Sequence, residues 1–289
     1  MLDPKVLATI KDLPLLAKTV VDGFMNGFNK STVKGPGLEF SQYRSYQPGD
    51  DLRWLDWRMF ARSDRYYIRE SEIETSISVR FLIDASASMK HEDDGISKIQ
   101  YARMLAASLA YLANLQGDAV GLYVFQDGGL FTLSSGADPQ HLKRLYYRLE
   151  RIEPAGTFTK PAQYKELFAG GGRKELLVFI TDMYQTEGEI NKVLDSLAVL
   201  RHEIIVFQLM GRNELELDFK GYSTLEDLET GEVVQINAQT IKQYRDALHG
   251  RLAATRMELL SKHIVHQVLN TSQPLDQALR SFLVQRNKA

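Results

Sequence analysis

No cysteine occurs in the 289 residues. Disulfide bonding and thiolate chemistry are therefore excluded, and a reducing compartment is the natural setting. An excess of charge of either sign is also missing. The 35 Lys and Arg nearly balance the 37 Asp and Glu, for a formal net charge of −2, so there is no electrostatic case for nucleic-acid binding. Long apolar runs are absent from the N-terminus, MLDPKVLATIKDLPLLAKTV, where acids and lysines interrupt every apolar stretch. That reads as neither a signal peptide nor a membrane span, and a cytoplasmic protein is expected. No internal repeat and no low-complexity tract is found. What remains, 44% hydrophobic and 25% charged residues, is the composition of an ordinary globular protein. The length suits a full α/β domain with an appendage.

Several short apolar runs rich in β-formers alternate with helical patterns. Val79 to Ile83 is the clearest and stops at Asp84. A continuous apolar run of this length suits a strand buried on both faces of a parallel sheet. Asp118–Phe125, Glu175–Thr181, Glu203–Leu209 and Ile264–Leu269 read the same way. Leu130–Leu133 follows its predecessor too closely for a crossover and must run antiparallel. Helices are expected at Asp3 to about Asn29, divided by Pro14, and at Ser97–Gln116, Pro139–Arg151, about Ala162–Phe168, Gly188–Leu200, Ala238–Lys262 and Pro274–Gln285. Gly221–Asn237 reads as a polar hairpin turning at Thr230-Gly231. The fold class is α/β: a mostly parallel sheet with one antiparallel edge strand and helices on both faces.

Beyond Asp84 the chain reads Asp84-Ala85-Ser86-Ala87-Ser88, a carboxylate and two hydroxyls at alternate positions. In open α/β sheets ligands bind just beyond the carboxyl ends of strands. These hard oxygen donors suit Mg²⁺, Mn²⁺ or Ca²⁺ rather than Zn²⁺. The run 175–181 repeats the device, since it ends in Asp182. The plain alternative is a turn or helix cap.

The segment from Gly37 to Glu74 holds both tryptophans, Trp54 and Trp57, and interleaves arginines with acids. Arg forks pair with carboxylates and stack on rings, so the segment is expected to pack on the sheet domain and offers residue types enriched at interaction hot spots. From Gly37 to Arg62 it reads G-L-E-F-x-x-Y-R-x-Y-x-P-G-D-D-x-R-x-x-D-W-x-x-x-A-R. This pattern resembles the signature of the bacterial domain-of-unknown-function-58 family, in which it runs into a von Willebrand factor A-like domain. The division implied is 1–34 for an N-terminal helical segment, 35–76 for the signature segment and 77–289 for the von Willebrand A-like domain.

The resemblance implies a metal-ion-dependent adhesion site built from Asp84, Ser86 and Ser88, Thr157 from a second loop, and Asp182 after a later strand. It would hold Mg²⁺, with Mn²⁺ or Ca²⁺ as alternatives, and draw a carboxylate from a protein partner. Relatives encoded beside MoxR-type AAA+ ATPases imply such an ATPase as partner and a chaperone or assembly role without enzymatic activity. A Mg²⁺-dependent hydrolase using Asp84 or Asp182 is the other reading. Against it, the five-residue set contains no general base, and the glycines 170–172 lack the ending of a phosphate loop. With no ion between them, Asp84 and Asp182 should repel, by about 4 kcal/mol at 4 Å and an effective dielectric of 20. Neutralising Asp182 is then expected to leave the metal-free protein at least as stable.

Overall fold

The structure is a computed structural model that describes residues 3–30, 42–46, 57–70, 76–126, 129–158, 174–185, 188–216, 224–235 and 238–287. The expected helix at 162–168, the glycines 170–172 and most of the 37–62 signature lie outside the described residues. Contacts divide the chain into a unit of residues 25–75 and a larger unit formed by 1–24 and 76–289.

The N-terminal helix is two helices, Pro4–Ala8 and Leu13–Lys30. Asp3 caps the first by accepting from the Lys5 amide at 2.8 Å. Pro14 sits in the first turn of the second, where its missing N–H costs nothing, so it opens a helix rather than kinking one. In the smaller unit, β1 (Gln42–Ser45) pairs antiparallel with β2 (Tyr67–Glu70), with the helix Trp57–Ser63 between them in sequence. Phe60 stacks on Tyr66 with centroids 4.5 Å apart, while Tyr46 meets Tyr66 edge-on. Trp57 is 62% exposed.

The larger unit is built on β3 (Ser78–Asp84), followed by a small hairpin of β4 (Glu92–Asp93) and β5 (Ile96–Ser97). Then come β6 (Ala119–Gln126), β7 (Gly129–Gly136), β8 (Leu176–Thr181) and β9 (Glu203–Met210). A second small hairpin, β10 (Thr224–Glu226) and β11 (Val233–Gln235), precedes β12 (Val265–Asn270). The six-stranded sheet has the order β12-β9-β8-β3-β6-β7, parallel throughout except for β7 at the edge. The α/β expectation therefore holds, antiparallel edge included, and the described sheet is von Willebrand A-like in layout.

Alternation along the strands supplies two cores. Leu82, Phe125, Leu177, Phe179 and Val206 pack under the helix Glu189–Ala198 through Ile190, Val193, Leu194 and Leu197. On the opposite face lies the helix Lys98–Leu115, 13 of whose 18 residues are buried. Ser97 begins it with a reciprocal capping box to Gln100, which satisfies two otherwise orphaned amides. No described helix is long and apolar enough to cross a membrane.

Candidate metal centre

The chain leaves β3 first for β6 and β7 on one side, then returns to β8 on the other. The carboxyl ends of β3 and β8 thus flank the crevice where strand order reverses, the usual ligand position of such sheets. Register places Ile83 opposite Ile180, so Asp84 and Thr181 follow side by side.

Asp84 is completely buried. Its Oδ2 accepts from the Thr181 hydroxyl at 2.7 Å and its Oδ1 from the Ser86 amide at 2.9 Å. Both donors are neutral. Burial, and then the nearby Asp182 carboxylate, push the Asp84 carboxyl up to about 7. Ser86 Oγ and Ser88 Oγ lie 3.0 Å apart. The loop holding Thr157 is fastened to this one by two backbone bonds, Ala87 N–H to Gly156 O at 2.8 Å and Ala155 N–H to Ala85 O at 2.9 Å. Gly156 has a φ of +61°, which only glycine adopts without strain. Thr157 follows it as an exposed residue, and Phe158 anchors the loop by stacking on Phe125.

Asp182 has a different environment. Its Oδ2 accepts from the Lys98 ammonium at 3.0 Å, and Lys98 also reaches Glu214 Oε1 at 2.8 Å. Lys98 is buried as deeply as Asp182. Burial works against its charge, but the Asp182 and Glu214 carboxylates outweigh that and hold it above the ordinary lysine range. The repulsion expected between the two aspartates is therefore offset on the Asp182 side alone. The turn after Asp182 is tightly specified: Tyr184 N–H donates to Asp182 Oδ1 and Met183 N–H to Thr181 Oγ1. Met183 adopts a left-handed φ of +59°, a conformation that costs a bulky residue of order 1–3 kcal/mol and tends to mark functional sites.

A further carboxylate arrives from the hairpin expected at 221–237. Glu229 lies in the turn between β10 and β11, close enough to Ser86, Ser88 and Asp182 for each to act on its carboxyl. Burial raises its carboxyl, the two serines oppose that, and Asp182 and Asp227 add to the rise. The Tyr184 hydroxyl donates to Asp227, which ties this hairpin to the loop of Asp182.

Thus Asp84, Ser86, Ser88 and Asp182 meet in one cluster, with the Thr157 loop bonded alongside. Sequence reasoning missed Thr181, Lys98, Glu214 and Glu229. Lys98 did carry a signal: a lysine in the first turn of a helix opposes the helix dipole and calls for a local reason. Glu229 carried none, being remote in sequence. No group of three or more His, Asp or Glu side chains stands ready to hold a metal among the described residues; the candidate centre relies on hydroxyls.

The sequence profile described as "Protein of unknown function DUF58" matches residues 42–258. The chain belongs to that family. Uncharacterized proteins of Mycobacterium tuberculosis and Mycobacterium bovis are 27% identical over 235 residues, 80% of this chain and 73% of theirs. Among solved structures, the conserved hypothetical protein BatB from Bacteroides thetaiotaomicron is 20% identical with a TM-score of 0.47, covering 74% of this chain and 100% of its own. An aerotolerance-related membrane protein from Bacteroides fragilis is 21% identical with a TM-score of 0.45, over 74% and 100%.

Proposed function

We propose that this DUF58 protein is a non-enzymatic, divalent-cation-dependent binding module of the cytoplasm. Asp84, Ser86, Ser88, Thr157 and Asp182 would hold Mg²⁺, or Mn²⁺ or Ca²⁺, at the ends of β3 and β8. The ion would supply a positive field toward which a partner protein presents a carboxylate. The implied partner is a MoxR-type AAA+ ATPase or a client that it assembles.

The observation that carries this reading is the state of Asp84: a fully buried carboxylate beside a second acid, whose donors, the Thr181 hydroxyl and the amide and hydroxyl of Ser86, are all neutral. The cluster has more acceptor oxygens than protons to share, since the Ser86 and Ser88 hydroxyls face one another and carry one proton each. A hard cation with oxygen ligation is the chemistry that resolves such a surplus.

Titration calorimetry of the purified protein with MgCl₂ tests it. One site per chain is expected, absent in Asp84→Asn, together with a partner captured in Mg²⁺ and released by EDTA. No heat of binding at millimolar Mg²⁺, Mn²⁺ or Ca²⁺ overturns the proposal.

A further inference from the structure

At one edge of the sheet, uncommitted main-chain groups lie beside uncommitted positive charge. We infer that β12 accepts an added strand from a partner protein, an extended acidic segment whose carboxylates face the long helix Ala238–Ser261. No metal ion is needed for this contact.

Among the described residues β12 ends the six-stranded sheet, with β9 on its inner side and no strand on its outer side. β9 is buried at every position except Glu203, whereas Leu269 alone is buried in β12. The Thr271 amide donates to Met210 O at 3.0 Å, so the amides of Val265, Gln267 and Leu269 turn inward with it. Amide direction alternates along a strand, and the amides of His266, Val268 and Asn270 therefore point outward. The carbonyls of His266 and Val268 turn outward as well. The Asn270 carbonyl is taken by the Gln273 amide at 2.9 Å, which closes the free stretch.

Sheets ordinarily protect such an edge with a charge, a proline or a bulge. At the other edge, the pairing of β7 with β6 has a register shift between Val120 and Leu122, and the Arg148 guanidinium lies over Phe131. β12 has neither charge nor proline, and its register with β9 runs without a break from Val265 to Asn270. A strand built this way is a template for strand addition.

The helix above the edge sets the chemistry of the added strand. His263, in the left-handed region at φ +61°, turns the chain from the helix back into β12, against which the helix packs. Leu259 and Ile264 enter the core with Val206. His266 lies on that same face, level with Val206, and its Nε2 meets Gln208 Oε1 at 2.9 Å. The inward stripe of the helix is Leu248, Leu252, Thr255 and Leu259. On one flank of this stripe Arg251 bonds Met183 O at 3.4 Å, toward the middle of the sheet. The other flank, toward β12, carries Arg245, His249 and Arg256, all exposed. Their spacing of four and seven puts them on one line. Burial, and then the Arg256 charge, lower the His266 imidazole, in accord with that placement. Of the two acids on the helix, Glu258 is held by Lys262 at 2.7 Å, which leaves Asp246 against the three basic side chains.

Arg245 and Arg256 are eleven positions apart, about 16 Å along a helix. Five residues of extended chain cover about the same length. One added strand with acids at alternate positions thus reaches both arginines while its main chain pairs with β12. A basic strand would meet repulsion along the whole edge.

Fluorescence anisotropy tests this on the full chain in EDTA, with a labelled synthetic peptide of alternating threonine and glutamate. The peptide should bind at low salt, weaken as NaCl is raised, and fail to bind when its alternate amides are N-methylated. A threonine–lysine peptide should not bind. Val268→Pro removes an outward amide and no bond to β9, the placement that an edge strand tolerates, and should abolish binding. Arg245→Glu combined with Arg256→Glu, both at exposed positions, should weaken the acidic peptide by about tenfold or more and admit the lysine peptide. Thermal melts verify that each variant is folded, and the N-methylated peptide tests the main-chain pairing on unaltered protein. No binding of the acidic peptide at millimolar concentration overturns the inference. Binding that survives both N-methylation and Val268→Pro would be charge attraction without strand addition and overturns it too. A wild-type dimer that Val268→Pro dissociates, with no peptide bound, would give the edge to a second copy of the chain and overturn it as well.

Discussion

The ends of β3 and β8 look alike in sequence, each a run of apolar residues stopped by an aspartate, yet the fold treats the two acids oppositely. Asp84 is held by a hydroxyl and an amide, and its carboxyl rises to about 7. Asp182 is held by a buried ammonium. Neutral donors can orient a buried carboxylate but cannot cancel its charge, whereas Lys98 does both. Asp84 is therefore the half of the pair that the proposed cation would serve, and Asp182 the half that the protein itself compensates.

Removing the cation from the Asp182 side should have the largest effect. Lys98→Met leaves Asp182 and Glu214 without their buried partner and should destabilise the EDTA-treated protein by about 3–5 kcal/mol, read from urea unfolding midpoints. Asp182→Asn should destabilise in the same direction, by less because Glu214 still holds Lys98. That reverses the expectation drawn from repulsion alone, and a metal-free Asp182→Asn protein as stable as wild type would erase the contrast between the two acids.

Asp84→Asn should cost the metal-free protein little at neutral pH, because a charge with no counter-charge is removed while one carboxamide oxygen remains to accept. It should abolish the gain on adding Mg²⁺, which in wild type is about 2.7 kcal/mol at 100 times the dissociation constant. A pH series sharpens the point. A carboxyl whose folded-state pKa lies above its unfolded value keeps its proton in the fold after the unfolded chain has lost it. Its contribution is complete below about pH 4, where both states are protonated, and is lost as pH rises through about 7. Wild type in EDTA should thus lose stability relative to Asp84→Asn across that window, whereas in Mg²⁺ near pH 7 wild type should be the more stable of the two by its gain from binding the ion. An unchanging difference would mean that Asp84 is compensated after all.

The smallest effect on stability is expected at Thr157. It is exposed, so Thr157→Ala should leave the melting temperature in EDTA within about the ±0.5 kcal/mol typical of surface changes while weakening Mg²⁺ binding. Equal binding by wild type and variant would remove Thr157 from the ligand set.

The strand ends were legible because burial on both faces forces uninterrupted apolar runs, and the acid that ends each run marks the sheet's edge. Asp84, Ser86 and Ser88 are local in sequence, so their clustering could be read directly. The β10–β11 hairpin was also visible, from its polar residues and the Thr230-Gly231 turn. Its landing place was not, since nothing in residues 221–237 states that Asp227 meets Tyr184 in the loop of Asp182. Lys98 was read as an unremarked helix residue, and its pairing depends on where β8 and the turn after β9 bring Asp182 and Glu214. The helix boundary at Pro14 was misjudged only in kind, because proline can open a helix as readily as break one.

The strand order also has a consequence in time. As the chain is made, β3 can pair with β6, and β6 with β7, once residue 136 has emerged, but the other neighbour of β3, β8, begins at residue 176. During that interval the β3 edge, with Phe81, Leu82 and Ile83, has no strand to cover it. Apolar edges of this kind recruit other chains. A ribosome-bound fragment ending between 137 and 175 would thus expose an adhesive edge, and synthesis of a few dozen more residues converts that edge into the floor of the candidate site.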